Sequence, residues 1–236
     1  MSGQAFRSAQ VTALRDESAM PDALNDQIYQ DLRWKLITGV YNPGDPISIR
    51  SVADEAGVSM MPVREALKRL ESERALVASA RRSFRVQALT ARDVADLFFV
   101  RSHLEGLATE RAVPKLTSAQ IRRLGELAAQ MNEYVEARDI NAYLSNNYTF
   151  HFTIYLATGI AELCAIIENL WVQTGPSLAN GLRQQQPDEE WKTTHREIVD
   201  AIAARDTGAA RQLMEKDIRW GMSLYESLAG APADGT

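Results

Sequence analysis

The stretch Ser48–Leu70, SIRSVADEAGVSMMPVREALKRL, constrains the fold more than any other part of the chain. Ser48 is placed to cap a short helix, its hydroxyl accepting from an otherwise orphaned backbone N–H. Val52, Ala53 and Ala56 line one face of that helix, and Gly57 suits the left-handed residue that ends it. Ser59 stands at the cap of a second helix with Pro62 in its first turn, where a missing N–H costs nothing. Val63, Ala66, Leu67 and Leu70 recur at helical spacing and turn inward, leaving Arg64, Lys68 and Arg69 off the stripe. Two short capped helices, the second with outward cations, make a helix-turn-helix. Alone, the same residues would also fit an ordinary helical hairpin with a solvated basic face.

The flanking residues separate the two readings. Leu24, Ile28, Leu32, Leu36 and Ile37 share one face of a helix that Gly39 stops, and Tyr41–Pro46 is dense in turn residues. After Leu70, Leu76-Val77-Ala78 and Phe84-Arg85-Val86 read as strands around Ala80-Arg81-Arg82-Ser83, a β-hairpin with a cationic tip. Helix, helix-turn-helix, then basic hairpin is the order of a winged helix, whose wing fixes the second helix on a nucleic-acid backbone. The net charge of −5 does not oppose this. Arg64–Arg85 holds seven cations against three acids, and affinity follows the phosphates touched locally.

Asn42-Pro43-Gly44-Asp45, the Ser48…Gly57-Val58-Ser59 spacing and Pro62-Val63-Arg64-Glu65-Ala66-Leu67 resemble the DNA-binding domain of GntR-type bacterial transcription regulators over about residues 24–89. The resemblance implies that Arg50, Ser59, Met60, Met61 and Arg64 face DNA, with Lys68 and the wing-tip Arg81 and Arg82 beside them. Two residues depart from the family pattern: Met60-Met61 stand where Arg and Thr are usual, and Ser83 where the wing has Gly. Met cannot make the paired bonds of Arg to a guanine edge, so operator preference should differ.

From Thr90 the pattern turns wholly helical, with helices expected near 91–113, 118–137, 141–157, 161–178, 190–205 and 207–228, and a polar break at Asn180–Asp188. At 236 residues, two domains are expected. The chain divides into a flexible segment 1–22, a winged helix-turn-helix 23–89, an all-α antiparallel bundle 90–229 and a tail 230–236. The fold class is mainly α. No apolar run is long enough to span a membrane, and the one cysteine, Cys164, lies among apolar residues, which fits a buried thiol and a cytoplasmic protein.

Several polar residues fall on apolar helix faces. Arg101 and Glu105 lie among Val94, Leu97, Phe98, Leu104 and Ala108; Asn147 and His151 lie one turn apart beside Tyr143, Phe150 and Ile154; His195 precedes Ile198; Asp217 lies among Leu213, Met214 and Leu224. Buried polar groups are costly unless paired, so these residues are expected to meet. Asn147, His151, His195 and Asp217 form a candidate metal set for Zn²⁺, Ni²⁺, Fe²⁺ or Mn²⁺, with a hydrogen-bonded polar cluster as the alternative. His103 falls off the stripe.

Arg101–Glu105, Phe150-His151, His195-Arg196-Glu197-Ile198 and the closing helix resemble the FCD effector domain of the FadR subfamily over about residues 91–228. That resemblance implies a metal held by Asp or Asn and three His, and Asp217 stands where the third His is usual. It also implies a small organic acid bound near the metal, with Arg101 and Glu105 as effector-binding residues. The expected function is a ligand-responsive regulator, not an enzyme, whose homodimer grips two half-sites about 34 Å apart on double-stranded DNA. The competing readings are a metal enzyme built on two His and a carboxylate, or a DNA-binding protein with an effectorless dimerisation domain.

Overall fold

The computed structural model describes residues 21–79, 83–185 and 189–229. Helix α1 (Pro21–Ile37) buries Ile28, Leu32, Leu36 and Ile37. Its chain reverses at Gly39, whose φ of 68° is left-handed. The turn-rich segment then gives a short strand that the sequence pattern conceals, β1 (Pro46–Ile47), which buries Ile47.

Helices α2 (Ile49–Ala56) and α3 (Met60–Ser72) follow. Ser48 caps α2 by accepting from the Ser51 N–H at 3.4 Å, and Gly57 ends it with φ 67°. Ser59 occupies the N-cap position of α3 but makes no side-chain cap hydrogen bond, contrary to the expectation from sequence. Val63, Ala66, Leu67 and Leu70 are buried, so the inward stripe is as the spacing predicts.

Strands β2 (Leu76–Ser79) and β3 (Ser83–Val86) pair antiparallel, with Leu76 opposite Val86 and Ser79 opposite Ser83. Strand β1 joins the other edge of β3, giving the order β1-β3-β2. Leu76, Phe84 and Val86 alternate inward onto the helices. The expected cationic tip, Arg81 and Arg82, lies outside the described residues, as do 1–20 and 230–236.

Six helices build the second domain among the described residues: α4 (Ala91–Ala112), α5 (Ser118–Glu136), α6 (Ile140–Leu156), α7 (Ala161–Gln184), α8 (Glu189–Ala203) and α9 (Thr207–Ala229). Reciprocal capping boxes start α4 (Thr90 with Asp93) and α5 (Thr117 with Gln120), and Asp139 caps α6. Helix α9 packs along α4, α5 lies against α6 and α8, and α7 crosses α4 and α6.

Helix α7 corrects the expected break at Asn180–Asp188, since it continues through Asn180 to Gln184. Its inner face stays apolar through Ala179 and Leu182, and Arg183 Nη1 donates to Asn42 Oδ1 at 2.9 Å and Nη2 to the Gly39 carbonyl at 2.5 Å. As far as Gln184 the polar residues are an outer face of the helix, and 186–188 lie outside the described residues. This last turn docks the first domain. A Cβ on Gly39 would lie 2.2 Å from that of Ala179, and one on Gly175 would lie 2.6 Å from the Leu36 carbonyl oxygen.

Candidate metal and effector site

Helix α6 places Asn147 and His151 one turn apart on its inner face. Helix α8 brings His195 and α9 brings Asp217, and the donor atoms of the two histidines and the aspartate lie within 4.8 Å of one another. All four residues are buried, His151 completely. Asn147 Oδ1 stands 3.1 Å from Nε2 of both histidines. The Asp217 oxygens stand 3.4 Å from His151 Nε2 and 3.6 Å from His195 Nε2. The sequence-predicted quartet therefore converges on one point.

Protonation follows from the surroundings. Glu105, fully buried, accepts from Arg101 Nε at 2.7 Å, from the Tyr155 hydroxyl at 2.5 Å and from Trp171 Nε1 at 3.0 Å. With its proton on Glu105, the Tyr155 oxygen is left to accept from His151 Nδ1 at 2.9 Å. That fixes the tautomer and leaves His151 Nε2 a bare lone pair facing the cluster.

Burial, reinforced by His195 and Arg101, holds the His151 imidazole well below its ordinary pKa. Burial likewise lowers His195 against the opposing pull of Asp217, while burial raises the Asp217 carboxyl. With neutral imidazoles, the contacts to Asp217 are not ion pairs. At His151 the contact is acceptor beside acceptor, and Asp217 Oδ1 is buried with no hydrogen-bond partner.

Such a set fits a cation. Ligands about 2.1 Å from a tetrahedral centre stand about 3.4 Å apart, near the spacings found between Asn147, the histidines and Asp217. The orphaned Asp217 oxygen is the group such an ion would satisfy.

Asn147, His151 and Asp217 form the floor of a cavity that Arg101 also lines. Arg101 is pinned there by Glu105, by Thr174 Oγ1 at 2.9 Å, and between the rings of Phe98 and Trp171, 4.9 and 4.7 Å from its guanidinium carbon. Glu105 does not line the cavity; it stands behind Arg101 and orders it. His103 is exposed, as expected, and Cys164 is buried. The sequence reading missed Tyr155, although its place one turn beyond His151 on the same helix face was the available signal, and the tryptophans Trp171, Trp191 and Trp220, whose type gave no sign of facing the site.

On the winged helix, Met60 and Met61 are 54% and 68% exposed, too open for core residues. Arg64 is half-buried beside them. Arg50 and Lys68 are open, with intrahelical partners in Asp54 at 3.7 Å and Glu65 at 3.2 Å.

The chain matches the gntR family of bacterial regulatory proteins over residues 24–86 and the FCD domain over residues 96–219. It belongs to the FCD-containing branch of the GntR family. Its relatives include the HTH-type transcriptional regulator McbR of Escherichia coli, 30% identical over 202 residues that cover 83% of this chain and 91% of McbR. The HTH-type transcriptional repressor RspR of the same organism is 26% identical over 83% of this chain and 86% of its own. The solved structure of E. coli McbR/YncC superposes with a TM-score of 0.81 at 29% identity, covering 87% of this chain and 98% of that one. This GntR protein is accordingly a DNA-binding transcriptional regulator whose second domain is of the effector-binding kind.

Proposed function

We propose that a divalent metal sits among Asn147, His151, His195 and Asp217, and that a small organic acid binding beside it sets the affinity of a homodimer for its operator. The observation that carries this reading is the meeting of four buried lone-pair donors, one of them the partnerless Asp217 Oδ1. Bound there, a divalent cation would supply a Lewis-acidic position for a carboxylate. Arg101 borders the same space, and the guanidinium, its charge balanced by Glu105, offers N–H donors to a carboxylate. The family, whose named members are transcriptional regulators, favours a regulatory over a catalytic role. No helix among the described residues is long and apolar enough to cross a membrane.

Arg50, Ser59, Met60, Met61, Arg64 and Lys68 are the residues we assign to DNA, joined by Arg81 and Arg82 of the wing. A ligand that binds one arrangement of the helical domain more tightly shifts the spacing of paired wings, and operator affinity with it.

Two measurements test the reading. Metal analysis of the purified protein should find a stoichiometric divalent ion that His151→Ala loses; full retention in the variant would remove His151 from the site. In a gel shift at fixed salt, Arg64→Ala should abolish specific binding while keeping the wild-type circular dichroism spectrum. Undiminished operator affinity would take Arg64 off the DNA.

A further inference from the structure

The cavity has a composition that a general acid-binding site does not need. Three of the four tryptophans in the chain, Trp171, Trp191 and Trp220, line it, together with Phe98, Tyr143, Leu178, Leu182 and Ile218. Its polar side chains are Asn147, His151, Asp217 and Arg101 at the floor, and Tyr143 adds a hydroxyl. Beyond these, the lining is mostly aromatic and aliphatic, and one hydroxyl falls short of the several hydrogen bonds that a polyhydroxylated or multiply charged ligand would require in exchange for lost water.

Charge sets a second limit. Arg101 and Glu105 cancel at 2.7 Å. Asp217 opposite a divalent cation leaves one positive charge, enough for one carboxylate. A second carboxylate would be an unpaired buried anion.

The space itself says how such a ligand enters. Free volume at the cluster is about 20 Å³, room for one water or ion. Only Leu178 and Trp220 among the lining residues are half-exposed, so the cavity meets solvent on their side. The Trp220 ring lies 4.6 Å from that of Trp191 at a 30° tilt, closing the opening as a partly stacked pair. Beside it, Gly221 lets the Phe98 ring approach so closely that a Cβ would lie 2.8 Å from its edge. An incoming planar group can take the place of Trp220 against Trp191 and keep the stacking.

We propose that the effector is a monocarboxylic acid with a planar, apolar body, its carboxylate at the floor and its ring between Trp171, Trp191 and Trp220, with Trp220 as the gate. This rests on the reading that the site takes a metal and an organic acid.

The test uses full-length protein loaded with Zn²⁺ and follows tryptophan fluorescence and melting temperature. The probes are phenylacetate, gluconate, citrate and the uncharged phenylacetamide. Phenylacetate should bind at least about ten-fold more tightly than the other three, a difference of about 1.4 kcal/mol. Trp220→Ala and, separately, Leu178→Gln should weaken phenylacetate about ten-fold or more while leaving metal content unchanged. The second variant, at a half-exposed position, guards against a loss that comes from misfolding. Gluconate or citrate binding as tightly as phenylacetate would overturn the ligand class and leave the organic-acid site standing. Silence toward all three acids in metal-loaded protein would overturn both. Phenylacetamide binding as tightly as phenylacetate would overturn the part given to the carboxylate.

Discussion

Glu105 shows how much of the site rests on one buried carboxylate. It is wholly enclosed and accepts from Arg101, Tyr155 and Trp171 at once. Removing it leaves the Arg101 charge buried with only Thr174, and releases the Tyr155 hydroxyl that sets the His151 tautomer. Breaking a buried pair from one side costs about 3–5 kcal/mol, far more than an exposed pair such as Arg123–Glu126. Glu105→Ala should therefore lower stability by that amount in urea unfolding and weaken metal retention as well. The Arg123→Ala variant should change stability by less than about 1 kcal/mol. The inward position of Glu105 is legible, since it falls four residues after Arg101 on the apolar stripe. It could not show that Glu105 orders Arg101 from behind, because Tyr155 and Trp171 come from helices whose spatial neighbours no local pattern records. The metal quartet was legible for the opposite reason. Each member broke an apolar face, and burial cost alone required them to meet.

Elements were read well where periodicity and caps agreed and poorly where tertiary contact overrode composition. The helix-turn-helix announced itself through Gly57, Pro62 and the apolar stripe, and the capping boxes at Thr90 and Thr117 mark helix starts that the pattern also placed. Helix α7 was cut short on sequence because Asn180–Gln184 reads as loop. It persists because Ala179 and Leu182 bury and Arg183 ties it to the turn after α1. Strand β1 was missed because two residues among Asn, Pro, Gly and Asp carry no strand signal, and only pairing with β3 makes them one. Gly39 is the residue on which this docking depends. A side chain there meets both a positive φ and the Ala179 Cβ. Gly39→Ala should cost more than the ~1–2 kcal/mol of left-handed strain, because the Ala179 Cβ is fixed to its backbone and cannot yield. Gly57→Ala, with a similar φ and open space around its Cβ, should cost only the strain, so the difference between the two unfolding free energies measures the clash at Ala179.

At the scale of the whole molecule, the question is how a buried cluster in one domain reaches a recognition helix in the other. The structure offers a continuous chain of contacts. Tyr148, between Asn147 and His151 on α6, donates its hydroxyl to Glu168 Oε1 on α7 at 2.5 Å. The other Glu168 oxygen pairs with Arg33 Nη2 on α1 at 3.2 Å. Arg33 Nη1 then reaches Glu73 at 2.9 Å, at the C-terminal cap of α3, with Tyr29 bonded to both and Arg69 stacked 3.7 Å over its ring. Contact alone does not establish coupling; a change in response on cutting the chain does. The Arg33 side chain is 8% exposed and that of Glu168 30%, so the pair is shielded enough to matter and open enough to lose without unfolding. Glu168→Ala should leave metal affinity unchanged, because Glu168 touches none of the four ligands. The ratio of operator affinities measured with and without Zn²⁺ should fall toward one in the variant, and Arg33→Ala should reproduce the fall without adding to it in the double variant. A wild-type ratio of one, or an undiminished ratio in Glu168→Ala, would remove this bridge from the route between effector and DNA.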